Sequence, residues 1–307
     1  MKISDILASS TKAYPSLEIV PPLRGMTKNE LLESIAPFME FNPKYINVTS
    51  HRDEFEYRQE ADGSFSRHLV RNRINETTVC AAIMSRYDVA VIPHLICGGS
   101  TKEEIDSKLD NLAFLGIDNL VALRGDSLSG EKRFTPTPGG YSYASELVAA
   151  IRRKGMTDGR FCIGVGAYPE KHFEAANLET DILNLKKKVD AGADYIVTQM
   201  FFDNQVFYDF VEKCRAAGIS APIIPGLKPL STARQISVLP EAFSLDIPLE
   251  LTQEIEKHNN DKEAVYRIGT EWCAMQCKDL IRHGVPAVHF YTMGKSRNIT
   301  DILRECF

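Results

Sequence analysis

Short apolar runs alternate with amphipathic segments along the whole chain. The clearest unit lies between Lys186 and Asp203, where Gly192 ends a basic helical segment and the apolar run Tyr195 to Phe202 follows. That run is too short for a helix and too apolar for an edge strand, so it predicts a buried parallel strand. Gln199 stands near its carboxyl end, where parallel sheets bind their ligands. A buried amide needs a hydrogen-bond partner, so Gln199 predicts a bond within the protein or to a ligand.

The chain holds roughly eight strand-then-helix units, and strict alternation of this kind indicates a parallel sheet. At 307 residues the natural closure is an eightfold barrel. We therefore predict an α/β fold, the (β/α)8 TIM barrel, with residues 1–307 forming a single catalytic barrel domain. A doubly wound sheet is the alternative, but its Gly-rich dinucleotide turn is missing, since Gly164 and Gly166 lie inside a strand. The predicted strands are Leu17–Val20, Tyr45–Ser50, Val89–Ile96, Asn119–Arg124, Phe161–Tyr168, Tyr195–Phe202, Pro222–Gly226 and Ala287–Met293.

The segments between these strands carry helix and turn signals. Lys28 to Phe41 predicts a helix that Thr27 begins with a capping box. A polar loop containing Gly63 is predicted after the second strand, followed by a helix from Arg71 to Tyr87. Asp246 to Asn260 adds helical pattern beyond the repeating unit, which we interpret as an insertion in the barrel.

Composition argues against several classes of protein. A net charge of −5 argues against nucleic acid as the main partner, and no apolar run is long enough to cross a membrane. The amino terminus is amphipathic and acidic, unlike a signal peptide, so we expect a cytoplasmic protein. The seven cysteines are scattered, which indicates reduced, packed thiols. Cys273 and Cys277 lie one helical turn apart, but no second pair completes a metal site, so we predict no metal.

Polar side chains stand at or just beyond the carboxyl ends of the predicted strands. A barrel gathers these ends on one face, so we expect the side chains to ring a single cavity. Each has an ordinary structural explanation when taken alone, such as a turn cap or a hydrogen-bonded core histidine. The set comprises Glu18, Thr49, His94, Arg124, Asp126, Tyr168, His172, Gln199, His289 and Tyr291.

The sequence around each of these residues limits the chemical roles that it can have. Glu18 stands in an apolar strand beside prolines, which predicts a carboxyl of raised pKa that serves as a general acid. Asp126 follows an Arg-Gly turn and would place a negative charge where it tunes a flat redox-active ring or binds a hydroxyl. Arg124 and Lys188 can meet phosphates, although a solvated helix face is the commoner place for a lysine. We find no nucleophilic triad and no metal-binding histidine pair.

These residues fall within motifs that resemble the methylenetetrahydrofolate reductase family, in its bacterial single-domain form. The resemblance runs nearly end to end and in the family's order. The motifs are Leu17-Glu18 with Pro21-Pro22, Asn47-Val48-Thr49, Pro93-His94-Leu95, Val121 to Asp126, Tyr143-Ala144-Ser145, Ala167-Tyr168-Pro169-Glu170 with His172, Val189 to Ala193, Thr198-Gln199 with Phe201-Phe202-Asp203, Ile223 to Gly226, and His289-Phe290-Tyr291-Thr292.

The resemblance implies a barrel that holds FAD at its carboxyl face. A reduced nicotinamide, NADH or NADPH, would give a hydride to the flavin and leave. Methylenetetrahydrofolate would then take its place and accept the hydride, in a ping-pong reaction that yields 5-methyltetrahydrofolate. Glu18 matches the family's general acid, which protonates the folate N5, and Asp126 matches its aspartate near the flavin. Gln199 matches a glutamine that binds substrate.

Further positions are assigned only through the resemblance. Leu239 falls where the family can have a phenylalanine over the substrate, and Lys295 falls where an arginine is expected at the folate tail. A lysine keeps that charge but loses the bidentate fork. The FAD-contact positions are Thr49, His94, Leu123, Arg124, Gly125, Asp126, Tyr143, Ala144, Gly166, Tyr168, His172, Asp181 and Lys188.

Two other functions fit the residues less closely. One is a different flavin-containing barrel oxidoreductase that acts on an imine, and the other is a flavin-free pterin-binding barrel that transfers a methyl group. The sequence leaves open the choice between NADH and NADPH. We also expect a homo-oligomer, and no control by adenosylmethionine, because the chain carries no long regulatory domain.

Overall fold

In the computed structural model, described for residues 1–127, 133–154, 160–292 and 297–307, eight parallel strands close into a barrel. Barrel neighbours follow one another along the chain, which confirms the predicted (β/α)8 architecture. Two more strands pair separately as an antiparallel hairpin, β3 with β4. The strands are β1 (Tyr14–Ile19), β2 (Tyr45–Val48), β3 (Glu54–Gln59), β4 (Phe65–Val70), β5 (Ala90–Ile96), β6 (Asn119–Leu123), β7 (Cys162–Ala167), β8 (Tyr195–Met200), β9 (Ile223–Leu227) and β10 (Ala287–Tyr291).

The helices of the described residues lie mostly in the connections that return the chain to the next strand. Among them, none combines the length and apolar character that a bilayer crossing needs. The helices are α1 (Ile3–Ser9), α2 (Lys28–Met39), α3 (Glu76–Met84), α4 (Lys102–Phe114), α5 (Ala144–Lys154), α6 (Leu178–Asp190), α7 (Asn204–Ala216), α8 (Gln235–Phe243), α9 (Leu249–Lys257), α10 (Lys262–Arg282) and α11 (Arg297–Cys306).

Local sequence signals set several helix starts. The predicted capping box at Thr27 is confirmed: its hydroxyl accepts from the Glu30 N–H, and the Glu30 carboxylate accepts from the Thr27 N–H. Thr101 and Glu104 repeat this arrangement at the start of α4. Each cap fixes the residue at which its helix begins, and therefore the length of the loop that leads into the helix. The strand-end residues share one face because all eight barrel strands are parallel.

The region after β2 differs from the prediction. The predicted polar loop around Gly63 is instead the β3–β4 hairpin, whose turn is closed by a bond from the Gly63 N–H to the Glu60 carbonyl. The predicted helix start at Arg71 is also wrong, because α3 begins at Glu76, where Asn75 caps the Thr77 N–H.

The amino-terminal mouth of the barrel is closed by α1. Ile3, Ile6 and Leu7 pack into the barrel interior, and the Ile3 N–H donates to Asn119 Oδ1 at 2.9 Å. Asn119 is the first residue of β6, so this bond fixes α1 at the strands' amino ends. Ligands are therefore expected to enter from the opposite, carboxyl face.

The predicted insertion, Asp246 to Asn260, contains α9, which follows α8 in the connection after the seventh barrel strand. These helices pack on the carboxyl end of β8 through an apolar cluster that includes Met200, Leu239, Leu245 and Leu251. The insertion therefore lies beside the site end of the barrel.

Candidate active site

Glu18 lies near the carboxyl end of β1, where strand pairing places it opposite Asn47 and Tyr291. Its side chain is buried, and two histidines face the same carboxylate oxygen. His289 Nε2 is 3.6 Å from Glu18 Oε2, and His94 Nε2 is 3.8 Å from it. The structure therefore brings together Glu18, His94 and His289, which the sequence placed on one rim.

A chain of buried hydrogen bonds leads to this carboxylate. Asn47 Nδ2 donates to Ser16 Oγ at 3.2 Å, and Ser16 Oγ lies 2.9 Å from His289 Nδ1. The amide nitrogen can only donate, so the Ser16 hydroxyl is free to give its own hydrogen to His289 Nδ1. That tautomer leaves the proton on His289 Nε2, which faces Glu18. Ser16 and Asn47 thus orient the group that contacts the carboxylate.

The predicted raised pKa of Glu18 is wrong for this structure. Burial by itself raises the pKa of Glu18, but the hydrogen bond with His289 lowers it, and any positive charge on the neighbouring histidines adds to that effect, so the net direction is downward. Burial also lowers the pKa of His94 to about 4, so His94 is neutral at neutral pH. Because His94 is then uncharged, we attribute the lowered pKa of Glu18 to the hydrogen bond from the His289 N–H.

A second polar cluster joins the ends of β6 and β7 with α6. Arg124 pairs with Glu174 at 2.6 Å, and the His172 backbone N–H donates to Asp181 Oδ2 at 2.9 Å. Lys188 Nζ donates to the Gly166 carbonyl at 2.6 Å, so this lysine lies against the end of β7 and not on a solvated helix face. Five of the predicted cofactor-contact positions lie in this cluster: Arg124, Gly166, His172, Asp181 and Lys188.

Arg124 and Lys188 bring positive charge to this cluster, and Glu174 and Asp181 bring negative charge. Burial lowers the pKa of Lys188 to about 8, with Asp181 opposing the shift and Arg124 adding to it. Burial likewise lowers the pKa of His172, again with a contribution from the Arg124 charge. A bound anion would favour the charged form of Lys188 and the protonated form of His172 beside Arg124. Their arrangement can therefore hold a phosphate or diphosphate.

The backbone approaches closely beside this cluster. A Cβ built on Gly166 would lie 3.2 Å from Leu123 Cδ2, so a larger residue there would crowd the strand end. Gly125 has a φ of +84°, a conformation that favours glycine. Both positions therefore require a small residue at the ends of β6 and β7.

The remaining predicted cofactor positions lie around the same face. Thr49 is buried and its Oγ1 lies 3.1 Å from His51 Nε2. Tyr143 is exposed just before α5, whereas Ala144, the first residue of that helix, is buried. Tyr168 meets the His172 ring edge-on at 4.7 Å between centroids.

Asp126 follows β6 with its side chain exposed. Arg52 Nη1 donates to the Asp126 backbone carbonyl at 3.5 Å, and the guanidinium groups of Arg52 and Arg124 both lie over the Phe134 ring. Sequence reasoning missed Arg52, Phe134 and Glu174, because nothing in their local pattern separates them from ordinary loop residues. Ser16 could have been found from the sequence, because residues two apart on a strand point to the same face and Ser16 stands two residues before Glu18.

Three further residues were predicted to bind substrate, and each lies in a different environment. Gln199 is partly exposed, and its Oε1 accepts from the Met200 N–H at 2.9 Å, so the protein satisfies part of this amide. Leu239 is buried in the cluster with Met200 and Leu245. Lys295 lies outside the described residues.

Comparison with known proteins identifies the same family that the sequence motifs resemble. The family model described as methylenetetrahydrofolate reductase matches residues 2–306. The chain is 32% identical to 5,10-methylenetetrahydrofolate reductase of Escherichia coli, over 92% of this chain and 86% of that protein. It is 32% identical to methylenetetrahydrofolate reductase (NADH) 1 of Arabidopsis thaliana, over 99% of this chain. The chain spans about half the length of the plant relatives it matches.

Solved structures agree on the fold. A Clostridium thermocellum protein, described as binding two copies of 5-methyl-5,6,7,8-tetrahydrofolic acid, aligns with a TM-score of 0.60 and 13% identity. The alignment covers 99% of this chain and 98% of that one. A 2,3-dimethylmalate lyase aligns with a TM-score of 0.52 and 8% identity, covering 98% of this chain and 82% of that one. At these identities, the likeness concerns the barrel alone.

Proposed function

The chain belongs to the methylenetetrahydrofolate reductase family, and from that premise we propose that it reduces 5,10-methylenetetrahydrofolate to 5-methyltetrahydrofolate with electrons from NADH or NADPH. The observation that carries the proposal is the buried Glu18 with His289 against it, together with a separate polar cluster that contains Arg124 and Lys188. One of these sites can handle a proton and the other can hold an anion. Reduction of a cyclic iminium precursor requires a proton donor near the acceptor and a place for the electron carrier.

We propose FAD as the electron carrier. Arg124 and Lys188, with the His172 ring beside them, can bond its diphosphate. FAD, when bound there, would supply two-electron chemistry that separates the nicotinamide and folate half-reactions. The remaining candidate contacts are those predicted from the family: Thr49, His94, Leu123, Gly125, Asp126, Tyr143, Ala144, Tyr168 and Asp181.

Glu18 is proposed to hold the proton that opens the folate ring. Its pKa is lowered in this structure, so at neutral pH it is a carboxylate before substrate arrives. A pterin that covers it would exclude water and favour the neutral carboxylic acid. Glu18 would therefore take up a proton as substrate binds and give it to the folate N10 and not to N5. The bond from N10 to the methylene carbon must break to leave the N5 iminium ion, which a hydride converts to the 5-methyl product. The Ser16–His289 chain would keep the carboxylate aimed during this exchange.

Asp126 and Gln199 are proposed to bind the pterin. The exposed Asp126 carboxylate can accept hydrogen bonds from the N–H groups of the pterin, and the Gln199 amide can offer the pterin both a donor and an acceptor. The Asp126 charge would also disfavour an anionic reduced ring nearby. Both residues stand at strand ends on the carboxyl face of the barrel.

The test is Glu18→Gln in the protein purified with FAD. We expect bound FAD and its reduction by NADH to remain, and reduction of methylenetetrahydrofolate to fall by about 10² to 10⁴. If the variant reduces the folate at the normal rate, Glu18 is not the acid. A wild-type protein that reduces another imine but not this folate would favour the different flavin oxidoreductase.

A further inference from the structure

Glu170 lies in the connection after β7, within the Tyr168-Pro169-Glu170 motif, and has no part in the proposed chemistry. Its Oε1 accepts from the Asp246 backbone N–H at 2.9 Å, across a sequence separation of 76 residues. Asp246 stands between α8 and α9. One hydrogen bond therefore joins the loop that carries Tyr168 and His172 to the α8–α9 segment.

The α8–α9 segment lies beside the residue proposed to bind substrate. Leu239 and Leu245 pack with Met200, the neighbour of Gln199 in β8. A small space between the two loops is lined by Tyr168, Glu170, Gln199, Phe243 and Ser244, among others. Movement of the segment would therefore change the surroundings of Gln199 directly.

Both turns that the hydrogen bond joins contain a residue in the left-handed region. Lys171, which follows Glu170, has a φ of +93°, and Ser244 has a φ of +53°. This conformation costs free energy for residues other than glycine, so surrounding contacts must hold it. The Glu170–Asp246 bond joins the two turns and can therefore help to hold both residues in this conformation.

The charges around Glu170 make this contact sensitive to its proton. Asp246 from the α8–α9 connection and Asp203 at the start of α7 face it, while Lys171 Nζ bonds to the Ala175 carbonyl. Burial raises the pKa of Glu170 to about 7; the hydrogen bond from the Asp246 N–H opposes this shift, and the two aspartate charges add to it. If the segment moved away, water would return the pKa toward 4.5. A proton therefore binds the closed arrangement more tightly, so closure weakens as pH rises from 4.5 through 7 and levels off above that.

We propose that Glu170 is a positioning residue that clasps the α8–α9 segment over the folate side of the site, and that its proton sets how firmly the segment is held. The inference rests on the proposed function for its effect on folate, but the clasp itself is a property of the fold. Its first test therefore uses a readout that requires no turnover.

The first experiment is hydrogen exchange of the α8–α9 connection, residues 244–248, in the protein as purified. Three variants are compared with wild type: Glu170→Gln keeps the acceptor without a charge, Glu170→Ala removes the acceptor, and Glu256→Gln is a matched control on the exposed side of α9. After correction for intrinsic exchange, protection in wild type should fall between pH 6 and pH 8. It should stay high in Glu170→Gln and be low throughout in Glu170→Ala. A Glu170→Gln profile like that of wild type would overturn the proton's role, and full protection in Glu170→Ala would overturn the clasp.

The second experiment separates the two half-reactions across the same pH range. KM for methylenetetrahydrofolate should rise with pH in wild type, stay low in Glu170→Gln and rise roughly fivefold in Glu170→Ala at pH 6. The rate of reduction by NADH should not change in any variant. Changed exchange with an unchanged KM would overturn the link to substrate. Absence of any folate turnover in wild type would refute the proposed function, while the exchange result would still decide the clasp.

Discussion

Lys188→Met separates a cofactor-binding role for this lysine from a structural one. Burial lowers the pKa of Lys188 from 10.5 to about 8, a shift that corresponds to roughly 3 kcal/mol against the charged form at neutral pH. Because the folded-state pKa is the lower one, this cost is present below pH 8 and disappears as pH rises toward 10.5. The bond to the Gly166 carbonyl offsets roughly 1.5–3 kcal/mol of it. The two effects nearly cancel, so methionine should change the stability of the cofactor-free protein by less than about 1 kcal/mol.

Affinity for FAD should respond quite differently. A lost hydrogen bond between a cation and a phosphate costs roughly 1.5–3 kcal/mol, which weakens binding about 10- to 100-fold. The assay is a fluorescence titration of cofactor-free protein with FAD, beside urea unfolding of the same samples. Lys187→Met, on the exposed side of α6, is the matched control and should alter neither quantity. Normal FAD affinity in Lys188→Met, together with a loss of more than about 2 kcal/mol in stability, would refute the reasoning.

Three further predictions concern the chemistry. Asp126→Asn should raise the flavin potential by roughly 20–60 mV and slow folate reduction, measured by dye-coupled redox titration and single turnover; an unchanged potential would remove the electrostatic argument. Binding of methylenetetrahydrofolate at pH 7 should take up close to one proton in wild type and almost none in Glu18→Gln, measured by calorimetry in buffers of different ionisation enthalpy; equal uptake in both proteins would assign the proton elsewhere. Ser16→Ala should cost roughly 1–3 kcal/mol in urea unfolding, because it leaves the buried Asn47 amide without its acceptor, and an unchanged unfolding midpoint would show that this bond is not formed.

The parts of the fold that depend on local pattern were predictable. Thr27 and Glu30 lie three residues apart, so their capping box is visible in the sequence. The barrel itself follows from apolar strands repeated between amphipathic helices. The β3–β4 hairpin was missed although Asp62-Gly63 is a turn signal, because its strands are mostly exposed and carry polar residues on both faces.

The parts that depend on distant neighbours were not predictable in the same way. Ser16 and His289 are 273 positions apart, and only closure of the barrel brings them together. The direction of the Glu18 pKa shift depends on the hydrogen bond between His289 and Glu18, since burial alone would have produced the predicted rise. Glu170 stood within a recognised motif, but its partner Asp246 lies in an insertion whose placement the sequence pattern does not specify.

The central claim is that one site carries out both half-reactions, with Glu18 needed for only the second. The most direct measurement is anaerobic rapid-mixing absorbance of the purified protein, first with NADH and then with methylenetetrahydrofolate. We predict a flavin spectrum that bleaches with NADH in wild type and in Glu18→Gln, and that returns with the folate only in wild type. A protein that carries no flavin even after addition of FAD, or whose bleached flavin is not reoxidised by the folate, would contradict the claim.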